Sequence, residues 1–394
     1  MTSAAAAPDR SIQPWRILCG LVISGFFLAL PGGLLPLWGY HIHPDFGTAA
    51  NYFLILGAGL GCGAWLALRL RGRIGESGLF MSGCFGGGAL TLLLLAFAAP
   101  PAAFWFQGLA LFSAGASSGI VNTAVFESIS EAYEAKPARI TLTGGIFFGI
   151  GSMLAAWLMS ICLDASNPTR LLAAMALLPA AAGVVLSRHK FPAPHPALPP
   201  IASTVQDLRS PLAIMFALLL FFQFASEWSI AGWLPVILID RLGLSPEAAV
   251  LLLLLYWFAL TGGRIVATRL LSVVHHGRMV AISAFCALFG CTALLAAGTR
   301  FGIVTGILFT GAGFSAIYPL AAERISGRFS YYHPGYFNGI FTFAMMGGIL
   351  APFMLGHAAA VYGLQVIPLA ALVGSCAVFA LILLIWLGRK VSGS

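Results

Sequence analysis

Charge is what this sequence has least of. Only 8% of its 394 residues are Asp, Glu, Lys or Arg, while 60% are apolar. A soluble domain of this length needs far more charge on its outside, so the apolar excess must face lipid. The short alternating segments of a membrane β-barrel are missing, and the apolar runs are long and continuous, as at 90–99 and 250–260. Also missing is a Gly-x-x-x-x-Gly-Lys-Ser/Thr phosphate loop, which argues against direct ATP drive. The Gly86-Gly87-Gly88 run lies inside an apolar segment with no phosphate-binding context. There is no His-Glu-x-x-His, no nucleophile elbow and no sizeable soluble domain, so an enzyme is not expected. The seven cysteines (Cys19, Cys62, Cys84, Cys162, Cys286, Cys291, Cys376) lack metal-site spacing and read as buried free thiols; no metal or other cofactor is expected.

What is present is helix of membrane-spanning length. Breaks at charge, Pro and Gly delimit twelve segments: 16–39, 50–70, 78–99, 103–130, 139–163, 170–187, 211–239, 248–271, 279–298, 301–323, 336–361 and 365–388. The first is too long for a cleavable signal and lacks a cleavage site. With the N-terminus in the cytoplasm, sixteen of the twenty Lys and Arg fall on inside segments; only Arg170, Arg241 and Arg300 fall outside, and Arg264 lies within a span. That bias predicts both termini in the cytoplasm, in a cell membrane of the bacterial inner-membrane kind. It also accounts for the net charge of +8 without a nucleic-acid partner.

The chain divides into an N-terminal six-helix bundle over 1–187, a polar, Pro-rich cytoplasmic linker over 188–210, and a C-terminal six-helix bundle over 211–394. A weak repeat at an offset of 196 residues supports the division: Glu127-Ser-Ile-Ser130 meets Glu323-Arg-Ile-Ser326, Gly115 meets Gly311, and Gly151 meets Gly347. The fold class is therefore all-α, two pseudo-symmetric bundles with a solute site between them near the midplane. Glycines three or four residues apart, such as Gly145 and Gly149, permit close helix approach, which any polytopic protein also needs.

An ionisable group in the hydrocarbon costs at least about 2.5 kcal/mol on insertion scales, so each needs a reason. Glu227 is the one acidic residue near mid-span, with Gln223 one turn earlier on its face. Burial and a nearby cation pull such a carboxyl in opposite directions, which poises it to take and release a proton or to meet a substrate; the bland reading is a hydrogen bond for helix assembly. Arg264 lies at a similar depth in the next span and can pair with Glu227, or snorkel toward Glu323. Glu127 and Glu323 end repeat-related spans opposite arginine clusters, Arg69, Arg71 and Arg73 in one half, Arg264, Arg269 and Arg278 in the other. Contacts among them would form a cytoplasmic gate; helix-end solvation is the alternative. Asn122, Thr123, Gln223, Tyr256, Tyr318 and Asn338, with Trp228 and Trp257, are candidate substrate contacts, indoles stacking on an apolar sugar face and amides binding hydroxyls. Trp38 and Trp233, near outer ends, read as interfacial. His357 is a further candidate for the transport path.

Over essentially its whole length the chain resembles the major facilitator superfamily, and within it the fucose-permease-like branch of sugar:proton symporters. The residues that carry this are Glu227-Trp-Ser-Ile-Ala-Gly-Trp-Leu-Pro235, Gly243-Leu-Ser-Pro246, Tyr256-Trp257, Gly263-Arg264 and Gly313-Phe-Ser-Ala-Ile-Tyr-Pro319. The sequence departs from the family in the loop after the second span, which reads Trp65-Leu-Ala-Leu-Arg69-Leu-Arg-Gly-Arg73 without the usual glycine and aspartate. It departs again at Ser118, where the branch tends to carry a glutamate four residues before Asn122. The resemblance implies a monomeric secondary transporter working by alternating access, with a sugar or similar small polar solute and protons as partners. It also favours the snorkelling position for Arg264, because Gly263-Arg264 is similar to a structural signature of the family. The alternatives are an exporter of amphipathic compounds or lipids, sodium in place of protons, and a non-transporting receptor on the same scaffold.

Overall fold

The computed structural model describes residues 14–98, 104–187, 210–296, 298–328 and 339–391. Asn338 and all but the last residue of the expected linker lie outside the described residues. Eleven helical segments among them are long and apolar enough to cross a membrane. One of these, Phe46–Phe97, has 52 residues. At 1.5 Å per residue it would run for about 78 Å, far beyond a hydrocarbon core of about 30 Å. Gly75, at φ 67° and ψ 172°, breaks it into two crossings. A side chain is strained at that positive φ, and glycine is not. Twelve spans result: α1 (Pro14–Leu37), α2 (46–74), α3 (76–97), α4 (Phe104–Ser128), α5 (Pro137–Asp164), α6 (Pro168–Val185), α7 (Pro211–Leu242), α8 (Pro246–Leu270), α9 (His276–Ala296), α10 (Arg300–Ser326), α11 (Gly339–Tyr362) and α12 (Val366–Leu387).

Local chemistry sets the ends. Asp45 caps α2 by accepting the Thr48 N–H at 3.0 Å, and Asn167 caps α6 from Arg170 at 3.1 Å. α7 stops at Gly243, φ 61°, and Pro246 starts α8 three residues later. Arg241 then donates to the carbonyls of Leu294 and Leu295 at 2.6 and 2.8 Å, closing the C-terminal end of α9. α10 is discontinuous: a helix over Arg300–Phe314 gives way at Ser315 and Ala316 to a second over Ile317–Ser326.

The spans form two six-helix bundles, and the repeat read from sequence is a repeat of packing. α5 lies on α1 and α11 on α7; α4 lies on α2 and α10 on α8. The paired glycines sit at these crossings. A Cβ on Gly151 would collide with the Val22 carbonyl of α1, and one on Gly347 with the Phe221 carbonyl of α7. Gly115 faces the Leu56 carbonyl of α2, and Gly311 the Tyr256 carbonyl of α8. Small residues let the backbones touch, which is how helices associate where lipid is as apolar as leucine. The bundles meet along α5 and α8, α2 and α11, and α1 and α7.

Large apolar side chains such as Trp105, Phe301 and Val361 are exposed on the outside, while the polar groups Glu227, Arg264, Gln223 and Ser118 are buried. That inversion is what a lipid solvent dictates. Two interfacial assignments are corrected. Trp38 and Trp233 are both buried. Trp233 stands against Phe46 and Phe53 of α2 and donates its Nε1–H to the Pro352 carbonyl of α11 at 3.1 Å. A partner inside the protein satisfies its one donor, so no headgroup is needed. Of the cysteines, Cys84, Cys162 and Cys291 are buried free thiols, whereas Cys62 and Cys376 are exposed, which corrects the expectation that all would be buried.

Candidate functional site

α7 and α8 are antiparallel and share a short outer loop. Glu227 lies 16 residues before Gly243, and Arg264 lies 18 residues after Pro246. At 1.5 Å per residue the two depths are about 24 and 27 Å, so the side chains can meet. They do: Arg264 Nη2 is 3.7 Å from Glu227 Oε1. Arg264 therefore does not snorkel to Glu323, and the preference drawn from the Gly263-Arg264 resemblance is corrected. Both side chains are buried, at 4% exposure for Glu227 and 7% for Arg264.

The pair is held from three sides. Gln223 Nε2 donates to Glu227 Oε2 at 3.0 Å and to the Phe314 carbonyl at 3.3 Å. That carbonyl is freed by the break in α10, so one amide joins the carboxylate to a discontinuous helix. The Tyr256 hydroxyl donates to the Glu227 carbonyl at 3.4 Å. On the other side Arg264 Nη1 donates to the Gly145 carbonyl of α5 at 2.6 Å. α5 belongs to the first bundle, so the guanidinium spans the seam between bundles. Gly145 and Gly149 make this approach possible. A Cβ on Gly145 would stand 2.9 Å from Arg264 Cδ and Nε, and one on Gly149 would collide with Thr261 Oγ1.

Aromatic rings border the pair. Trp228 and Trp257 lie 6.1 Å apart, and Phe148 of α5 packs edge-on to Trp228 at 6.0 Å and tilted to Trp257 at 6.4 Å. Trp257 Nε1 and Arg264 Nε are buried with no hydrogen-bond partner among the described residues. Trp228 also lines a cavity of about 40 Å³ between the bundles, with Gly32 of α1, Phe53 of α2, Ala231 of α7 and Ile349 of α11. At roughly 10–15 Å³ per water that is room for a few waters and no solute. The bundles close on both sides of it. Toward the outer loops, His357 Nε2 lies 3.2 Å from Asn51 Oδ1, joining α11 to α2. Toward the arginine-rich end, Ala138 and Leu142 of α5 pack in one apolar cluster with Ala267, Ala316 and Leu320.

The structure thus brings Glu227, Gln223, Tyr256, Trp228, Trp257 and Arg264 together. Tyr318 stacks obliquely on Phe224 and Phe341, at 5.2 and 5.7 Å, on the α7 to α11 side of the second bundle. Asn122 and Thr123 are buried on α4 in the first bundle, where the Thr123 hydroxyl donates to its own Gly119 carbonyl at 2.8 Å. One acid–arginine contact expected of the cytoplasmic gate lies within a bundle. Arg71 meets Glu127 at 2.7 Å inside the first bundle. Glu323 meets His276 at 2.7 Å inside the second. Arg69 lies over the Trp65 ring at 4.9 Å, and Arg73 and Arg269 are exposed. An apolar cluster spans the seam at this end.

Several members of the site were not singled out from sequence. Gly145 was read from sequence only as a close-approach glycine; it also acts through its carbonyl, which no residue type announces. Phe148 and Thr261 look like ordinary span residues. His276 lies beside a basic run that drew attention to arginines instead. Glu76 is buried at 4% exposure just past the Gly75 reversal, its Oε1 without a hydrogen-bond partner among the described residues. Its signal was available, since a carboxylate in the first turn of α3 suits the helix dipole.

Two repeated helical bundles meeting around one buried ion pair, with small residues along the seam, define a polytopic membrane transporter. The chain belongs to the Major Facilitator Superfamily, whose family model matches residues 17–352. Solved structures agree on the fold. The chain is similar to the E. coli fucose:proton symporter FucP, at 17% identity and a TM-score of 0.65, over 95% of this chain and 98% of that one. FucP in the outward conformation gives 17% identity and a TM-score of 0.64, over 95% and 99%. A D-xylose–proton symporter gives 14% identity and a TM-score of 0.70, over 95% and 96%. A sequence comparison with curated proteins gave no match.

Proposed function

We propose that this transporter moves a sugar or similar small polar solute together with protons, by rocking the bundle over 1–187 against the bundle over 211–394, as a monomer with both termini in the cytoplasm. The observation that carries the reading is the buried Glu227–Arg264 pair, one of whose members also grips Gly145 of the opposite bundle. A charge pair in a low-dielectric seam is strongly sensitive to a single proton. With Glu227 ionised, Arg264 is shared between the carboxylate and the Gly145 carbonyl. When Glu227 takes a proton, the charge attraction is lost, the guanidinium is left uncompensated, and the α5–α8 seam is weakened. Opening then admits water to solvate Arg264, and the same opening exposes the aromatic wall to solute.

Trp228 and Trp257 offer faces for stacking on an apolar ring face, while Gln223, Tyr256 and Tyr318, with Asn122 and Thr123 from the facing bundle, supply hydrogen-bonding groups. The two kinds of sugar:proton symporter whose fold this chain shares support this solute class. The Arg71–Glu127 and His276–Glu323 pairs fix the inner helix ends within each bundle, so each bundle moves as a body and the apolar contact at 138, 142, 316 and 320 parts between them. The apolar walls of the central cavity favour one other reading, an amphipathic solute. Purified protein in liposomes with an interior pH dye, challenged with hexoses, pentoses and amphipathic amines, separates the two. A sugar-driven proton signal is expected. A signal from amines alone would replace the sugar reading with the exporter.

A further inference from the structure

At the outer-loop end, away from the arginines, the two bundles meet through histidine and carboxylate. His357 of α11 is exposed and stands edge-on to Phe353, one turn earlier, at 4.9 Å. Its Nε2 lies 3.2 Å from Asn51 Oδ1 of α2. Its Nδ1 turns toward Asp45, the cap of α2. A Cβ on Gly47 would stand 3.5 Å from His357 Nδ1 and 3.6 Å from Asp45 Oδ1, so ring and carboxylate flank a residue that has no side chain. Asp45 feels this neighbour: the Thr48 hydroxyl, then the Thr48 N–H, and least the charge of His357 hold its carboxyl below the ordinary 3.8. A second pairing crosses the seam in the opposite sense. His41, in the loop after α1, is lowered by burial, against the Pro36 carbonyl and the charge of Glu247 in the first turn of α8. α11 packs chiefly on α2, α7 and α12. Of these, α2 brings Asp45, with His43 in the loop before it, and α7 ends in Asp240 and Arg241. α12 has no charged residue over Val366–Leu387, and Arg241 is committed to the Leu294 and Leu295 carbonyls of α9. The outer part of α11 also has a hinge. Pro352 lacks an N–H and breaks the helical ladder one turn after Gly348, where a Cβ would stand 2.8 Å from Trp228 of the central site.

We propose that α11 beyond Pro352 is a latch that protonation of His357 closes onto Asn51 and Asp45, so that acid on the outer face shuts the outer mouth. Imidazole gains its charge between about pH 8 and pH 5. The neutral ring has one N–H, which serves Asn51 and leaves Asp45 facing an uncharged nitrogen. The imidazolium has two, one for the Asn51 carbonyl oxygen and one toward the Asp45 carboxylate, and it adds a charge. The sign is opposite to that at mid-depth. A proton on Glu227 loosens the seam around Arg264, whereas a proton on His357 tightens it at the mouth. External acid would thus load the inner site and draw the mouth closed behind it. The inference rests on the rocking of the two bundles and not on the solute.

The test is hydrogen exchange by mass spectrometry on the whole protein in detergent, without solute, at about pH 5 and about pH 8, with rates corrected for the intrinsic pH dependence of amide exchange. Protection of residues 353–361 should be about fivefold higher at the acid end, the scale of an exposed ion pair with a charge-assisted hydrogen bond. His357→Gln keeps an amide donor at the position but cannot gain a charge, and should show equal protection at both. Asp45→Asn keeps the α2 cap and should leave a ratio of about two. His41→Gln should leave the wild-type ratio unchanged. Equal protection at the two pH values in the wild type would overturn the proposal. So would a ratio that survives in His357→Gln, which would assign the response to another group. A ratio lost in His41→Gln would overturn it by moving the latch to the His41–Glu247 pair. The expected ratios in a protein that carries no sugar would still support the latch and would count only against the solute reading.

Discussion

The Arg264 guanidinium donates a 2.6 Å hydrogen bond to the Gly145 carbonyl, and so reaches across the seam from α8 to α5. Its other edge lies 3.7 Å from the Glu227 carboxylate. One side chain thereby links the Glu227 carboxylate in one bundle to the backbone of the other. Removing Glu227's counter-charge by Arg264→Ala should destabilise the folded protein by about 3–5 kcal/mol, the usual consequence of leaving one member of a buried pair. The double variant Glu227→Leu/Arg264→Met should recover most of that loss while remaining inactive in transport. Denaturant unfolding in detergent, paired with solute counterflow, measures both.

The seam tolerates no added volume at Gly149, where a Cβ would collide with Thr261 Oγ1. Gly149→Ala should cost about 1–3 kcal/mol by overpacking. Thr261→Ala removes the obstructing hydroxyl, so Gly149→Ala/Thr261→Ala should be more stable than the sum of the single variants predicts. A double-mutant cycle on melting temperatures checks the coupling.

Gln223 joins Glu227 to the Phe314 carbonyl at the α10 break. Gln223→Leu leaves that buried acceptor unpaired, at about 1–3 kcal/mol. Hydrogen exchange should accelerate around residues 315–318 more than in α9 or α12. Uniform exchange would show that the break is held by other means.

Asp45 is a cap outside the membrane span. The Thr48 hydroxyl and then the Thr48 N–H, at 2.6 and 3.0 Å, hold its carboxyl below its ordinary value of 3.8. A carboxyl lowered on folding contributes stability above its unfolded pKa and loses it as pH falls through the folded one. Asp45→Ala should cost about 1 kcal/mol at neutral pH. The gap to wild type should close below pH 3.8, as followed by melting temperature against pH.

The architecture was legible because lipid imposes a harsh rule: few charges, long apolar runs and a positive-inside bias leave little choice of fold. The Gly115/Gly311 and Gly151/Gly347 correspondences were readable for the same reason, since close helix crossings admit few residue types. The Glu227–Arg264 meeting was open to reckoning from helix rise, but the choice between Glu227 and Glu323 was not. That choice depends on which face of α8 meets α5, and the apolar pattern of a span buried on two sides hides its facing. Trp233 misled for a related reason. Depth suggested an interface, and only the packing of α2 against α7 and α11 shows that its ring is enclosed. The apolar inner closure at Leu142 and Leu320 had no signal either, because leucine in a membrane span announces nothing.

Glu227 is proposed to carry the coupled proton, and one comparison separates that role from a purely structural one. Wild type and Glu227→Gln would be reconstituted in liposomes and assayed for solute counterflow and for accumulation driven by an imposed pH gradient, with the solute that gives the wild type its proton signal. Counterflow needs only the rocking of the bundles, whereas accumulation needs the proton. Glu227→Gln should retain counterflow and lose pH-driven accumulation. Accumulation at the wild-type level in Glu227→Gln would contradict the claim and take Glu227 out of the coupling mechanism.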